Sequence, residues 1–312
     1  MAYMPLRKEE LYLETEKMPK IYDLSLPWGW DTPLWPFPGA RSDLQFPRGQ
    51  YLERFHKRTN TYTGTLHAAT HMDAPNHTLH EEEVDRERYG YTLAELPLEH
   101  CIGTGVIIDM TYLYDEFEAA FNACDGDPTR MGEYAEVPGE KKGPIWHIIT
   151  PEEIQAACDK DGIEIRPNDW VIINTGFHRY WRKNNDKYFN YYPGLGPDAC
   201  KWLMFEKKIK GISGTWGATD SVMWHCPAVE QMPWLAKNYK AATGRDIDKD
   251  YPDYEPCHRL FAQHGVMAVE NAGGCIDEIS GTRKIIAAFP FRCEAADGGM
   301  VRLCAWDEGT QW

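Results

Sequence analysis

The chain has 312 residues, 43% of them hydrophobic, and a formal net charge of −15, which argues against nucleic acid or an anionic membrane surface as a partner. Apolar runs such as 284–291 are far too short to span a bilayer, and the N-terminus lacks an apolar signal core. The nine cysteines are scattered with no Cys-x-x-Cys, so reduced buried thiols are expected over a disulfide framework or zinc ribbon, and the whole points to a soluble cytoplasmic protein.

Residues 1–20 are polar and charged, and read as an N-terminal arm ahead of a single domain spanning 21–312. Alternation over 21–26 predicts a first strand. Pro27, Pro33, Pro36 and Pro38 then exclude regular structure, so Trp28, Trp30 and Trp35 sit on a constrained loop. Those indoles either anchor the loop in the core or wall a site for a planar substrate. Residues 51–66 are rich in Thr and Tyr and read as a strand or hairpin.

That hairpin delivers the chain to His67-Ala-Ala-Thr-His71-Met-Asp73-Ala-Pro75-Asn-His77. Imidazole and carboxylate are ligands that divalent zinc or manganese prefers. A continuous helix turns Asp73 about 200° away from His71. A straight strand holds His67 and His77 about 33 Å apart. The segment must therefore fold back on itself, helped by Pro75, which forces Ala74 into an extended conformation. The expectation is a strand ending near His67, followed by a tight loop around a metal. The charge run from His80 to Arg88 reads as a solvated helix or loop.

Further on, 101–110 and 170–174 read as buried strands, and 112–123 as a short aromatic helix. Residues 124–143, rich in Gly, Pro and charge, read as an inserted surface loop. Thr150, Pro151 and Glu153 open a helix through a capping box, and Gly162 stops it. After an aromatic loop, 198–208 reads as a helix and 209–214 as a strand feeding the loop 215–221. Residues 235–256 look like a second insertion. A helix from Glu255 is closed by Gly265, and 266–271 is a strand ending in a carboxylate. A helix folded back on its own strand brings His258 and Glu270 near each other. Residues 285–289 and 300–306 supply closing strands. The repeated helix–strand alternation after 150 predicts an α/β fold.

The His67–His77 stretch resembles the signature of the cyclase family of metal-dependent hydrolases, which includes bacterial kynurenine formamidase and isatin hydrolase. The pattern is His-x-Gly-Thr-His-x-Asp-x-Pro-x-His, and this chain departs from it only at Ala69. That departure matters if the position needs positive φ. The resemblance covers about 21–306, from the Asp23-Leu-Ser strand to the closing strands. It includes a histidine and a glutamate twelve residues apart followed by Asn, here His258, Glu270 and Asn271. It implies a mixed, barrel-like β core surrounded by helices. It also implies that His67, His71 and Asp73 hold one metal, with Asp73 available to bridge to a second held by His258 and Glu270. Asp220 and Ser221 match a loop beside the family's pocket, although an Asx-type turn explains them equally well. Family habit suggests a homodimer or homotetramer.

The ligand set is mixed N/O, lacks thiolate and leaves open positions, which suits one or two Zn2+ or Mn2+ ions activating water. His77, just beyond the ligands, suits general acid/base work, with a fourth-ligand role as the alternative. The expected reaction is hydrolysis of an amide or lactone bond in a small planar substrate: a cyclic amide, an aryl formamide or a lactone. Trp28, Trp30 and Trp35 would stack on its ring. A metal-loaded protein that binds a small ligand without catalysis is the competing reading.

Overall fold

The computed structural model describes residues 19–29, 31–35, 50–52, 57–59 and 64–311. The expected N-terminal arm, bar residues 19 and 20, and Trp30 lie outside the described residues. The strands are β1 (Tyr22–Asp23), β2 (Gln50–Leu52), β3 (Lys57–Thr59), β4 (His71–Asp73), β5 (Ile102–Asp109), β6 (Ile148–Ile149), β7 (Trp170–Asn174), β8 (Gly194–Leu195), β9 (Gly211–Gly214), β10 (Met267–Glu270), β11 (Thr282–Pro290) and β12 (Gly298–Trp306). The α-helices are α1 (Arg86–Tyr89), α2 (Tyr112–Ala123), α3 (Pro151–Asp161), α4 (Asn185–Asn190), α5 (Pro197–Lys201), α6 (Ala228–Gln231), α7 (Pro233–Thr243), α8 (Ile247–Asp250) and α9 (Pro256–Gln263). The helix expected over 198–208 is α5 continued by a π-helical turn, Trp202–Lys207. Among the described residues no helix is long and apolar enough to cross a membrane.

Seven strands close into a barrel in the order β12-β11-β5-β7-β9-β10-β4, with β4 pairing back onto β12. The central strands β5, β7, β9 and β10 run parallel. Their crossovers carry α3, α5 and α9, which is the helix–strand alternation of the sequence made spatial. β4, β11 and β12 run antiparallel to their neighbours and complete the ring. β1 lies beside β12 at its far end.

Strand side chains alternate between two faces, and the two faces form separate cores. Met72, Ile107, Trp170, Ile172, Val269, Ile286 and Leu303 come from six strands and join one fully buried cluster, which only the barrel interior can hold. Their neighbours Val106, Ile108, Val171, Ile173 and Ile212 face outward against Phe117, Ile154 and Phe261 of the helices. Each such aliphatic side chain contributes roughly 1.5–3 kcal/mol on burial.

The local signals hold. Thr150 and Glu153 form a reciprocal capping box, and Gly162 ends α3 at φ 65. The stretch 124–143 is more than a surface loop. It contains a 3-10 turn, Pro128–Glu133, whose Met131 is fully buried, and it packs on α7 of the second insertion. A Cβ at Gly132 would lie 2.5 Å from the Ala242 carbonyl, and Arg245 pairs with Glu140. The buried Met131, Ala135 and Val137 are spaced at neither a helical nor a strand period, so the sequence hides this packing.

Candidate metal centre

β4 is three residues long and Met72 points into the barrel, so His71 and Asp73 on either side point outward. β10 pairs with β4 so that Val269 lies opposite Met72 and Glu270 opposite His71. Glu270 therefore stands beside His71 on the outer face. Of the hairpin expected over 51–66, β2 and β3 pair antiparallel, and no strand runs into His67 among the described residues. Residues 64–70 are irregular, and the ladder begins at His71, where β10 and β12 become available as partners. The chain turns into that strand at Ala69, whose φ is 52, the left-handed region that the family glycine suits. Beyond Asp73, Ala74 is extended (φ −96, ψ 157), as Pro75 requires, and a short 3-10 turn ends at His77. The His67 imidazole lies over Gly298, where a Cβ would meet its Cε1 at 2.5 Å.

These turns bring the five expected side chains together as two three-donor groups that share Asp73. In the first, His67 Nδ1 is 2.9 Å and His71 Nε2 is 3.5 Å from Asp73 Oδ1. In the second, His258 Nε2 is 3.6 Å from Asp73 Oδ2 and 2.9 Å from Glu270 Oε1. His71 Nε2 also lies 3.6 Å from Glu270 Oε2, linking the groups. Tetrahedral ligands at about 2.1 Å from a zinc ion stand about 3.4 Å apart, close to these separations. Both Asp73 oxygens and His67 Nε2 are buried with only ion-pair contacts to neighbouring side chains and no aligned hydrogen bond, although native proteins satisfy most such atoms. The donor set thus fits a divalent cation.

Neighbouring groups aim the imidazoles. His71 Nδ1 lies 2.9 Å from the Ala69 carbonyl, which takes its proton and turns Nε2 toward the cluster. His258 Nδ1 lies 2.6 Å from Asp220 Oδ2 with the same effect. The Thr219 amide donates to Glu270 Oε1 at 2.7 Å. Burial depresses the basicity of His71. At His67 burial acts the same way, but Asp297 and Asp73 outweigh it and push the pKa up to about 10. Burial opposes ionisation of Asp73, yet its histidine neighbours hold the carboxyl well below the usual range.

His77 is exposed at the rim, stacked on His67 with ring centroids 4.0 Å apart, and joins a donor group only with His67 and Asp297 among the described residues. Asp220 departs from its expected place at the pocket. It is fully buried, accepts the Cys257 and His258 amides at 2.8 and 3.0 Å, and lies behind His258. Ser221 is fully buried too, its backbone amide bonded to the Leu195 carbonyl. Trp28 donates its indole N–H to the Ala68 carbonyl at 2.6 Å and so braces the loop carrying the histidines. Trp35 meets Phe189 and His225, each at a 5.0 Å centroid distance. Asp297 is the residue that sequence reasoning missed. Its Oδ2 lies 3.2 Å from His67 Nε2 and 3.6 Å from His77 Nδ1. The only signal was a carboxylate just ahead of Gly298-Gly299 at the start of the closing strand.

A closed mixed barrel with an imidazole–carboxylate cluster on its outer face, compatible with a divalent metal, defines the class of protein. The chain belongs to the family described as "Putative cyclase", whose model matches residues 22–220, more than half its length. The resemblance read from the His67–His77 motif and the barrel-like core are both borne out. No curated protein sequence matches the chain. Isatin hydrolase A from Ralstonia solanacearum is similar in structure over 93% of this chain and 92% of its own, with a TM-score of 0.65 and 18% identity. An isatin hydrolase bound to the product analogue thioisatinate matches over 92% and 91%, with a TM-score of 0.62 and 18% identity. A predicted metal-dependent hydrolase from Bacillus stearothermophilus matches over 93% and 98%, with a TM-score of 0.54 and 16% identity. At these identities the likeness is one of fold.

Proposed function

We propose that this chain is a metal-dependent hydrolase that opens an amide or lactone bond in a small planar or cyclic substrate. The observation that carries the reading is the pair of donor groups meeting at Asp73, with separations of 2.9–3.6 Å. His67, His71 and Asp73 hold one ion, and Asp73, His258 and Glu270 offer a place for a second. The N/O donors suit Zn2+ or Mn2+. A divalent ion bound there supplies nucleophilic water near neutral pH and polarises a carbonyl.

The chain's own groups do the rest. Asp220 and the Ala69 carbonyl fix the rings of His258 and His71. His77 stands at the open rim beside Asp297 and passes a proton to the departing nitrogen or alkoxide. Trp28 steadies the loop from behind, and Trp35 adds an aromatic wall beside Tyr192 and His225. The bound thioisatinate of one structural relative favours a cyclic amide among the candidate substrates.

The test is elemental analysis of the isolated protein, then turnover of isatin, an aryl formamide and simple lactones with and without chelator. Chelator-sensitive hydrolysis of at least one is expected. A metal-loaded protein that binds such compounds but cleaves none would replace this reading with that of a ligand-binding protein.

A further inference from the structure

Asp297 keeps unusual company for a carboxylate. Its side chain is 47% exposed, yet among the described residues its ion-pair contacts are two imidazoles and no lysine or arginine. One oxygen, Oδ2, makes both contacts. It lies 3.2 Å from His67 Nε2 and 3.6 Å from His77 Nδ1. The two rings stack at 4.0 Å with 24° between their planes, so a single carboxylate reaches an edge of each.

The backbone keeps it there. Asp297 precedes Gly298, which pairs with Asp73 where β12 meets β4. The Asp297 carbonyl accepts the Ala74 amide at 2.9 Å, and the Ala296 carbonyl accepts the Leu93 amide at 3.0 Å. These bonds tie residues 296–298 to the strand that carries two of the ligands and to the segment beyond His77.

The chemistry of imidazole says what such a carboxylate does. His67 turns Nδ1 toward Asp73, 2.9 Å away, inside the donor group with His71. A neutral imidazole that gives Nδ1 to a cation carries its proton on Nε2, the nitrogen that faces Asp297. A carboxylate in that position fixes the tautomer and orientation of a ligand ring. At His77 the same oxygen faces Nδ1, and a proton held there leaves Nε2 as the nitrogen that exchanges a proton with a substrate.

We infer that Asp297 is a positioning residue shared by the two halves of the site, setting the ring of the metal ligand His67 and the ring of the proton-transferring His77 at once. The inference rests on the hydrolase reading above and deepens it. Metal retention and proton transfer then depend on one side chain by two separate routes.

The test is a double-mutant cycle over Asp297→Asn and His77→Ala, with Tm measured for each variant. Asparagine keeps the shape of the side chain and removes its charge. Chelator competition reads zinc affinity. The rate constants kcat and KM are measured at saturating zinc on whichever of isatin, an aryl formamide or a lactone is cleaved. Groups that orient such imidazoles are worth about 10- to 100-fold in metal affinity or activity. Asp297→Asn should therefore weaken zinc binding by that factor whether or not His77 is present. It should lower kcat by a similar factor with KM within about threefold of wild type, and by less than about threefold in the His77→Ala background. If Asp297→Asn is unstable, Asp297→Ser removes the carboxylate in its place and should show both effects. Equal losses of kcat in the two backgrounds, or wild-type zinc affinity in Asp297→Asn, would overturn the inference and leave the hydrolase reading standing. So would an extra equivalent of zinc bound by wild type and lost in Asp297→Asn, which would make His67, His77 and Asp297 an ion site of their own. Wild type that cleaves no amide or lactone would remove the hydrolase reading and this inference together.

Discussion

Gly298→Ala tests whether His67 is held where the cluster needs it. Gly298 pairs with Asp73 across β12 and β4, and an added methyl would lie 2.5 Å from His67 Cε1, 2.8 Å from Nε2 and 3.1 Å from Nδ1. Ordinary contact begins at 3.4 Å, so the ring must withdraw by about 0.9 Å (3.4 − 2.5). Metal–ligand distances tolerate about 0.2 Å, so this displacement is several times too large. His77, stacked 4.0 Å away, opposes the retreat. Gly298 has no positive φ, so alanine suits the backbone and contributes about 0.5–1 kcal/mol relative to glycine in a strand. The two effects are read in two assays. Calorimetry of the metal-free protein should show a Tm near wild type, because weakened His67 contacts to Asp73 and Asp297 offset the backbone gain. Competition with a chromophoric chelator should show zinc affinity reduced about 10- to 100-fold. Wild-type affinity in the variant would refute the placement of His67 as a ligand. A collapse of metal-free stability would show that the methyl is a packing fault instead.

His77→Ala should keep the wild-type metal content and lower kcat about 10²- to 10⁴-fold on whichever substrate is cleaved; an unmodified rate would remove its proton-transfer role. Asp220→Asn weakens the acceptor behind His258, and the same chelator competition should report a loss of about 10- to 100-fold in affinity. At Ala69, glycine relieves about 1 kcal/mol of left-handed strain but gives up a buried methyl worth about 0.8 kcal/mol and frees the unfolded chain, so Ala69→Gly should stay within about 1 kcal/mol of wild type. Ala69→Val places a β-branched residue at φ 52 and should be clearly less stable in urea titration; wild-type stability there would contradict the left-handed assignment. Away from the cluster, burial opposes ionisation of Glu153, but His147 and Lys142 outweigh it and pull its pKa from 4.5 down to about 2. The unfolded carboxyl titrates near 4.5, so this contribution is complete above that pH and is lost as pH falls toward 2. Glu153→Gln should therefore flatten stability between those two values, and an unchanged acid limb would show that the pair contributes nothing.

What could be read from the sequence was what depends on neighbours along the chain. The capping box at Thr150 and Glu153, the extended Ala74 ahead of Pro75 and the clustering of His67, His71 and Asp73 each need only local stereochemistry. The strand boundary at His71 was not legible. It depends on β10 and β12, which lie some two hundred residues away and supply the ladder that β4 joins. Asp297 was hidden for the same reason, since it reaches His67 only because β12 closes the barrel against β4. Asp220 could be read as a candidate on a loop beside the site but not as the group that aims His258, because residue type does not tell a carboxylate that faces a ligand from one that aims an imidazole.

Local and global preferences conflict in one region above others. Ala69 (φ 52), Glu255 (φ 42) and Asn271 (φ 58) are non-glycine residues in left-handed conformations, and each lies within three residues of a cluster histidine or glutamate. Such residues cost of order 1–3 kcal/mol each and persist only where their surroundings over-determine them. The same region buries Asp220, Glu255 and Glu270 and both carboxylate oxygens of Asp73, and carboxylates gathered out of water disfavour one another's charge. A cation changes that balance, because site-forming zinc contributes about 10–16 kcal/mol in small domains, more than the strain opposing it. The barrel need not share the burden. Met72 and Val269 hold β4 and β10 in register from the inner face by apolar burial alone, on the side away from the charges. The fold thus separates the two tasks across one strand, with the interior face fixing position and the outer face left free to concentrate charge.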